Sequence, residues 1–185
     1  MRTADLTAAL DPAAERRSRL VVASPLGELE LVADDEALAT LILPPRDTGM
    51  PDETPQDPRA GRLDDVPGHV VLSRARTELQ SYFRGDLQSF TVPLRPLGTT
   101  FQLAVWNAVL AIPYGATTTY GEIAGRLGPE VSPRAVGRAV GQNPLAIVIP
   151  CHRVVGSDGS LTGYGGGLHR KRYVLDLERG VRPVF

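Results

Sequence analysis

A two-part α/β (α+β) fold is predicted: an N-terminal antiparallel β-meander with one helix, then a mostly helical half that carries a helix-turn-helix. Three observations point to it. From Ser18 to Leu43, short apolar runs are separated by turn residues. From Phe101 onward, apolar residues recur at helical intervals between capping signals. Between the halves, Pro44 to Gly68 holds six prolines and six acidic residues without periodicity, which describes a flexible loop. Residues 1–17 are expected to be a flexible arm, 18–97 a β-rich domain containing the 44–68 loop, and 98–185 the C-terminal domain.

Taken in order, the meander consists of Arg19 to Ala23, Glu28 to Ala33 and Leu38 to Leu43, with turns at Pro25-Leu26-Gly27 and Asp34-Asp35-Glu36. His69 to Arg84 is helical, with Val71, Leu72, Ala75, Leu79, Tyr82 and Phe83 on one stripe and Gly85 as its stop. Phe90 to Leu94 is a short strand. A helix capped by Thr99 or Thr100 spans Phe101 to Ala111 and buries Phe101, Val105, Ala108 and Val109, with Trp106 read as core. Thr119 and Glu122 form a capping box ahead of a short helix ended by Gly128-Pro129. Ser132 and Pro133 open the next, which Gly141 closes; Ala135, Val136, Ala139 and Val140 face inward while Arg134 and Arg138 share an exposed face. These two helices form the helix-turn-helix. The last helix, Leu168 to Arg179, adds Val174, Leu175 and Leu177 to the core.

Composition excludes several function classes. With one cysteine in 185 residues there is no internal disulfide, and His69, His152 and His169 are too scattered for a metal site, so neither metal nor cofactor is expected. No apolar run is long enough for a signal peptide or a membrane span, and the protein is expected to be cytoplasmic. Residues 1–100 hold 11 basic and 16 acidic side chains (11 − 16 = −5), whereas residues 101–185 hold 9 and 5 (9 − 5 = +4). The C-terminal half is therefore the better partner for a polyanion. The glycines at 163 and 165–167 lack the lysine and hydroxyl residue of a P-loop, and instead let backbone approach a flat ligand closely.

The lone cysteine lies in Ile147 to Gly156, IVIPCHRVVG. A thiol attacks as thiolate, and His152 and Arg153 are placed to lower the pKa of Cys151. On an extended strand successive side chains point to opposite faces. A strand over Ile147 to Ile149 that breaks at Pro150 is therefore expected, with a bend or a water linking Cys151 to His152. A buried, inert cysteine is the alternative reading of the same residues.

Four motifs in order, GTTFQLAVW (98–106), TTYGEIA (118–124), PRAVGRAVGQNP (133–144) and IPCHRVVG (149–156) with the downstream TGYGGGLHRKRYVLDLE (162–178), resemble the O6-alkylguanine-DNA alkyltransferases. The resemblance spans about Ser18 to Gly180. It implies direct DNA repair: irreversible, stoichiometric transfer of the alkyl group from O6-alkylguanine, and possibly O4-alkylthymine, in double-stranded DNA to Cys151, by a monomer without cofactor. His152 would be the base acting through a water, Glu178 the carboxylate that orients it, and Asn143 the residue holding the turn before the cysteine. Tyr120 would donate to the departing guanine. Arg134 would fill the gap left by the flipped nucleotide, with Thr119, Ala135, Gly137 and Arg138 also on the DNA face. Substrate contacts would come from Tyr120, Val154, Tyr164, Gly165 and Lys171; a lysine in Lys171's position is by default solvated. Gly165 stands where serine or alanine is frequent, and Ala146 where proline is, which would widen the pocket wall. Two other classes share parts of the pattern: a DNA-binding or regulatory helix-turn-helix protein without alkyl transfer, and a cysteine hydrolase that would turn over repeatedly.

Overall fold

The computed structural model describes residues 17–43 and 67–181. The arm expected over 1–17 (save Arg17) and the loop expected over 44–68 (save Pro67 and Gly68) lie outside the described residues.

The meander forms a three-stranded antiparallel sheet in the order β1 (Ser18–Ser24), β2 (Gly27–Ala33), β3 (Leu38–Ile42). Leu20 pairs with Leu31 and Val22 with Leu29, so strict alternation puts Leu29, Leu31 and Ala33 into the core while Glu28, Glu30 and Val32 face outward. Pro25-Leu26 closes the first hairpin, with Gly27 at φ 96, where a side chain would be strained. Asp34 closes the second turn, its carboxylate accepting the amides of Glu36 and Ala37, both at 2.9 Å.

Helix α1 (His69–Phe83) covers the sheet with Val71, Leu72, Ala75, Leu79 and Tyr82 buried, and Gly85 follows at φ 81. Phe83 is only half-buried. The strand expected over Phe90 to Leu94 is reduced to a single bridge between Leu94 and Leu38. The cause is local: Pro93 has no amide to donate, and the Thr91 and Val92 amides donate to the Glu78 carboxylate at 2.8 and 3.1 Å.

In the C-terminal half, α2 (Thr100–Leu110) starts at a Thr99 capping box with Gln102. It buries Val105, Trp106 and Val109, and the Trp106 indole donates to the Ala139 carbonyl at 2.9 Å. Phe101, expected inside, is 37% exposed: on a helix of 3.6 residues per turn it lies at the edge of the stripe centred on Val105, Trp106 and Val109. β4 (Thr118–Thr119) leads into α3 (Tyr120–Leu127), capped by the Thr119–Glu122 box, and α4 (Pro133–Gly141) is capped by Ser132. β4 pairs in parallel with β5 (Val154–Val155), and α5 (Leu168–Glu178) completes the fold. Ala108, Ala135 and Leu177 are half-buried rather than core. Among the described residues no helix is long and apolar enough to cross a membrane.

The free edge of β3 joins the halves. Leu38 exchanges backbone hydrogen bonds with Pro93 and Arg95, while the Leu41 amide donates to Pro144 at 2.8 Å and its carbonyl accepts from Ala146 at 3.1 Å. An edge that would otherwise present unpaired donors and acceptors thus holds the segment leading to the cysteine.

Candidate active site

No strand forms over Ile147 to Ile149. Ile147 adopts φ 72, a left-handed conformation that costs a β-branched residue roughly 1–3 kcal/mol, and Val148 donates to Ala146 at 2.8 Å across it. Pro150, at φ −79 and ψ 62, forms an inverse γ-turn in which the Cys151 amide donates to the Ile149 carbonyl at 2.7 Å. Asn143 holds both ends of this reversal: its Oδ1 accepts from the Leu145 amide at 3.0 Å and its Nδ2 donates to the Ile149 carbonyl at 2.8 Å. The Val148 and Ile149 amides donate back to the Ala146 and Leu145 carbonyls and Asn143 holds the Ile149 carbonyl, so the segment turns on itself instead of entering a ladder. Cys151–Arg153 then forms a 3₁₀ turn, which sets successive side chains about 120° apart rather than on opposite faces.

Cys151 is 8% exposed and walls a cavity of about 260 Å³, small for a ligand pocket. Its other walls come from Val140, Pro144 and Ala146, from the glycine-rich loop at Tyr164 and Gly165, and from Leu41, Ile42 and Leu43 of the N-terminal sheet and its end. The contribution of β3 has no signal in the sequence.

Behind the cysteine, Glu178 gathers a buried polar cluster. Its Oε1 accepts from the Tyr82 hydroxyl at 2.6 Å, His152 Nε2 at 2.8 Å and Arg153 Nη2 at 2.8 Å, while Oε2 accepts from Arg153 Nε at 2.9 Å and the Gly115 amide at 3.1 Å. Burial works to raise the pKa of this carboxylate, but the hydrogen bonds of His152, Arg153 and Tyr82 together hold it well below the ordinary range. An ionised carboxylate only accepts, so His152 Nε2 carries the proton and Nδ1 keeps its lone pair. Nδ1 is buried without a hydrogen-bond partner among the described residues. Burial also lowers the pKa of His152, against the pull of Glu178, which keeps the ring neutral.

The expectation that His152 and Arg153 depress the thiol pKa is not met. Burial raises it, opposed by a hydrogen bond from Asn143 and by the charge of Lys171. Arg153 cannot act on the thiol because Glu178 neutralises it, and it also donates to the Ile112 carbonyl at 2.6 Å and lies over the Tyr114 ring. Cys151 therefore rests as a thiol next to a neutral base. Lys171 is not solvated: it is fully buried, and its Nζ donates to the carbonyls of Val154 at 2.6 Å and Thr162 at 2.8 Å, which ties the glycine-rich loop to β5. Of the expected substrate contacts, Tyr164 and Gly165 line the cavity, whereas Tyr120, Val154 and Lys171 do not.

Tyr120 opens α3 between α4 and that loop, its hydroxyl 3.4 Å from the Thr162 carbonyl and its ring facing Gly137. On α4, Arg134 and Arg138 are exposed and Ala135 and Gly137 half-buried, so a cationic, small-residue face lies beside the loop that walls the cavity. Thr119 is engaged as the cap of α3.

Residues 19–96 match the ribonuclease-like domain of the 6-O-methylguanine DNA methyltransferases, and residues 100–180 match the DNA-binding domain of the same proteins. The chain belongs to this family. A methylated-DNA--protein-cysteine methyltransferase of Mycobacterium bovis is 45% identical over 161 residues, 87% of this chain and 92% of that protein. One of Haemophilus influenzae is 40% identical over 157 residues, covering 84% and 83%. The fold is similar to that of the Mycobacterium tuberculosis OGT crystallised in complex with DNA, with a TM-score of 0.71 at 43% identity over 89% of this chain and 94% of that one.

For this member of the methyltransferase family, the sequence did not reveal Arg153 as the partner of Glu178, and it marked Tyr82 only as a core position of α1. The first was masked by its place in a basic run beside His152. A buried phenol needs a hydrogen-bond partner, which was the one available hint for the second.

Proposed function

We propose that this chain removes alkyl groups from O6 of guanine in double-stranded DNA by a single irreversible transfer to Cys151, acting as a cytoplasmic monomer without cofactor. The observation that carries the reading is His152 Nδ1, without a hydrogen-bond partner among the described residues, aligned through Nε2 by Glu178 and adjacent in sequence to a thiol that walls a cavity. Buried unsatisfied groups call for an explanation, and a base awaiting a proton supplies one.

A carbon on O6 inside a duplex cannot reach a buried thiol, so the nucleotide flips out, at a cost of a few kcal/mol. Arg134 on exposed α4 takes its place in the stack, with Thr119, Ala135, Gly137 and Arg138 against the backbone, and small residues there suit the narrow minor groove. The flipped base enters between Tyr120 and the loop at Tyr164 and Gly165. The carbonyls of Cys151 and Val154 accept from its exocyclic amine through their second lone pairs, with Lys171 fixing that of Val154. The thiol proton passes through a bridging water to His152 Nδ1, and Glu178 stabilises the resulting imidazolium. The sulfur then attacks the alkyl carbon in line with O6. The S–C bond forms as the C–O bond breaks, its electron pair stays on the guanine, and Tyr120 donates a hydrogen bond to the ring as that charge develops. The product is a thioether, and nothing in the cluster regenerates the thiol.

Incubation with duplex DNA containing O6-methylguanine, followed by peptide mass spectrometry, tests this. The expected result is one methyl group per chain, on Cys151, and none in Cys151→Ala, which still binds the DNA. Repeated turnover, or an unmodified Cys151 with repaired DNA, would overturn it.

A further inference from the structure

Glu178 is served from both halves of the molecule. Among the described residues, four of its five hydrogen bonds come from the C-terminal domain, but the shortest comes from Tyr82, in the last turn of α1, 96 positions away in the chain. Tyr82 is fully buried and packs edge-on against Phe83 and Tyr114 and tilted against Phe90. A phenol with only an aromatic-packing role would not need its hydroxyl aimed at the carboxylate oxygen that also receives His152 Nε2.

We propose that Tyr82 is a positioning residue for the alkyl transfer: its hydroxyl, supplied by the N-terminal domain, fixes the Glu178 carboxylate and limits how strongly that carboxylate holds His152. This rests on the alkyl-transfer reading above. Burial and the charge of Glu178 raise the phenol pKa well above its ordinary value, so Tyr82 remains a donor throughout the working range. Oε1 shares its charge among Tyr82, His152 and Arg153. Removing one donor concentrates that charge on the other two, so His152 becomes more basic while its carboxylate loses a restraint. The other groups that bear on His152 are Lys171 and Arg153, both cationic, and Cys151 itself; on the carboxylate, the remaining donor is the Gly115 amide.

Tyr82→Phe keeps the ring contacts and deletes only the hydroxyl. In the full chain, the single-turnover rate constant is expected to fall about three- to tenfold, the effect of one ordinary net hydrogen bond, equally on duplex DNA and on free O6-methylguanine base. Affinity for DNA should not change. Because the reaction needs neutral His152, the acid limb of the rate–pH profile should move to higher pH. In a Glu178→Gln background the same substitution should have little further effect. A variant with the wild-type rate constant and acid limb overturns the proposal, as does one that loses only active fraction, or one that slows the Glu178→Gln protein by the full factor. Failure of the wild-type chain to acquire an alkyl group on Cys151 would overturn the alkyl-transfer reading itself, and Tyr82's role with it.

Discussion

Arg153→Leu probes whether the Arg153–Glu178 pair holds this molecule together. The pair is buried on both sides, with side-chain exposures of 8% and 0%, and the guanidinium makes two bonds to the carboxylate and one to the Ile112 carbonyl. Leucine fills part of the space but leaves the Glu178 charge, among the described residues, with His152, Tyr82 and the Gly115 amide as its donors. Stranding one partner of a buried pair costs about 3–5 kcal/mol. For a chain of this size each kcal/mol lowers Tm by about 2–4 °C, so a fall of roughly 6–20 °C is expected at neutral pH. The pH dependence distinguishes a stranded charge from lost packing. In the wild type the folded-state pKa of Glu178 is depressed, so its contribution is complete above the unfolded value of about 4.3 and is lost as pH falls towards the folded value. In the variant the folded-state pKa rises towards the ordinary carboxylate range, so the deficit should stay constant near neutral pH and shrink as pH falls through that raised value to about pH 3. Arg153→Leu with Glu178→Leu removes the stranded charge but leaves the Tyr82 hydroxyl, His152 Nε2 and the Gly115 amide without their acceptor, so it should recover only part of the lost stability, with transfer slow. Thermal unfolding at the two pH values reads all of this. A single variant that melts within about 2 °C of wild type at neutral pH, or whose deficit is the same in acid, would refute the argument.

Glu178→Gln should slow single-turnover transfer tenfold or more, about 1.4 kcal/mol of transition-state stabilisation, with DNA affinity unchanged; an unaltered rate would remove Glu178 from the reaction. Arg134→Lys and Arg134→Ala should both slow repair of duplex DNA about tenfold or more yet barely affect free O6-methylguanine base, since lysine keeps the charge but lacks the plane that fills a stack. A silent Arg134→Lys with a shallower salt dependence in Arg134→Ala would make it a phosphate contact instead. An equal fall on both substrates would place its role in the fold or the pocket.

What the sequence determined by itself is local. Alternation and turn residues placed the three strands, and the capping residues Thr99, Thr119 and Ser132 placed three helix starts, because each signal acts within a few residues of the backbone it governs. The motif around Cys151 pointed to the family for a related reason: a reactive thiol needs particular neighbours in order. Tertiary structure decided what depends on distant groups. Whether residues 147–153 extend or coil was settled by Asn143, which holds Leu145 and Ile149 together just after β3 has paired with Pro144 and Ala146, not by the β-branched run that suggests a strand. Arg153 could be a field for the thiol or a counter-ion for Glu178, and only the approach of α5 chose the second. Lys171 lost its solvent to two carbonyls of a loop and a strand that α5 packs against. Tyr82 looked like one more apolar position on α1 until folding put its hydroxyl on Glu178. A buried polar atom is defined by the partner that makes its burial tolerable, and that partner can come from any part of the chain.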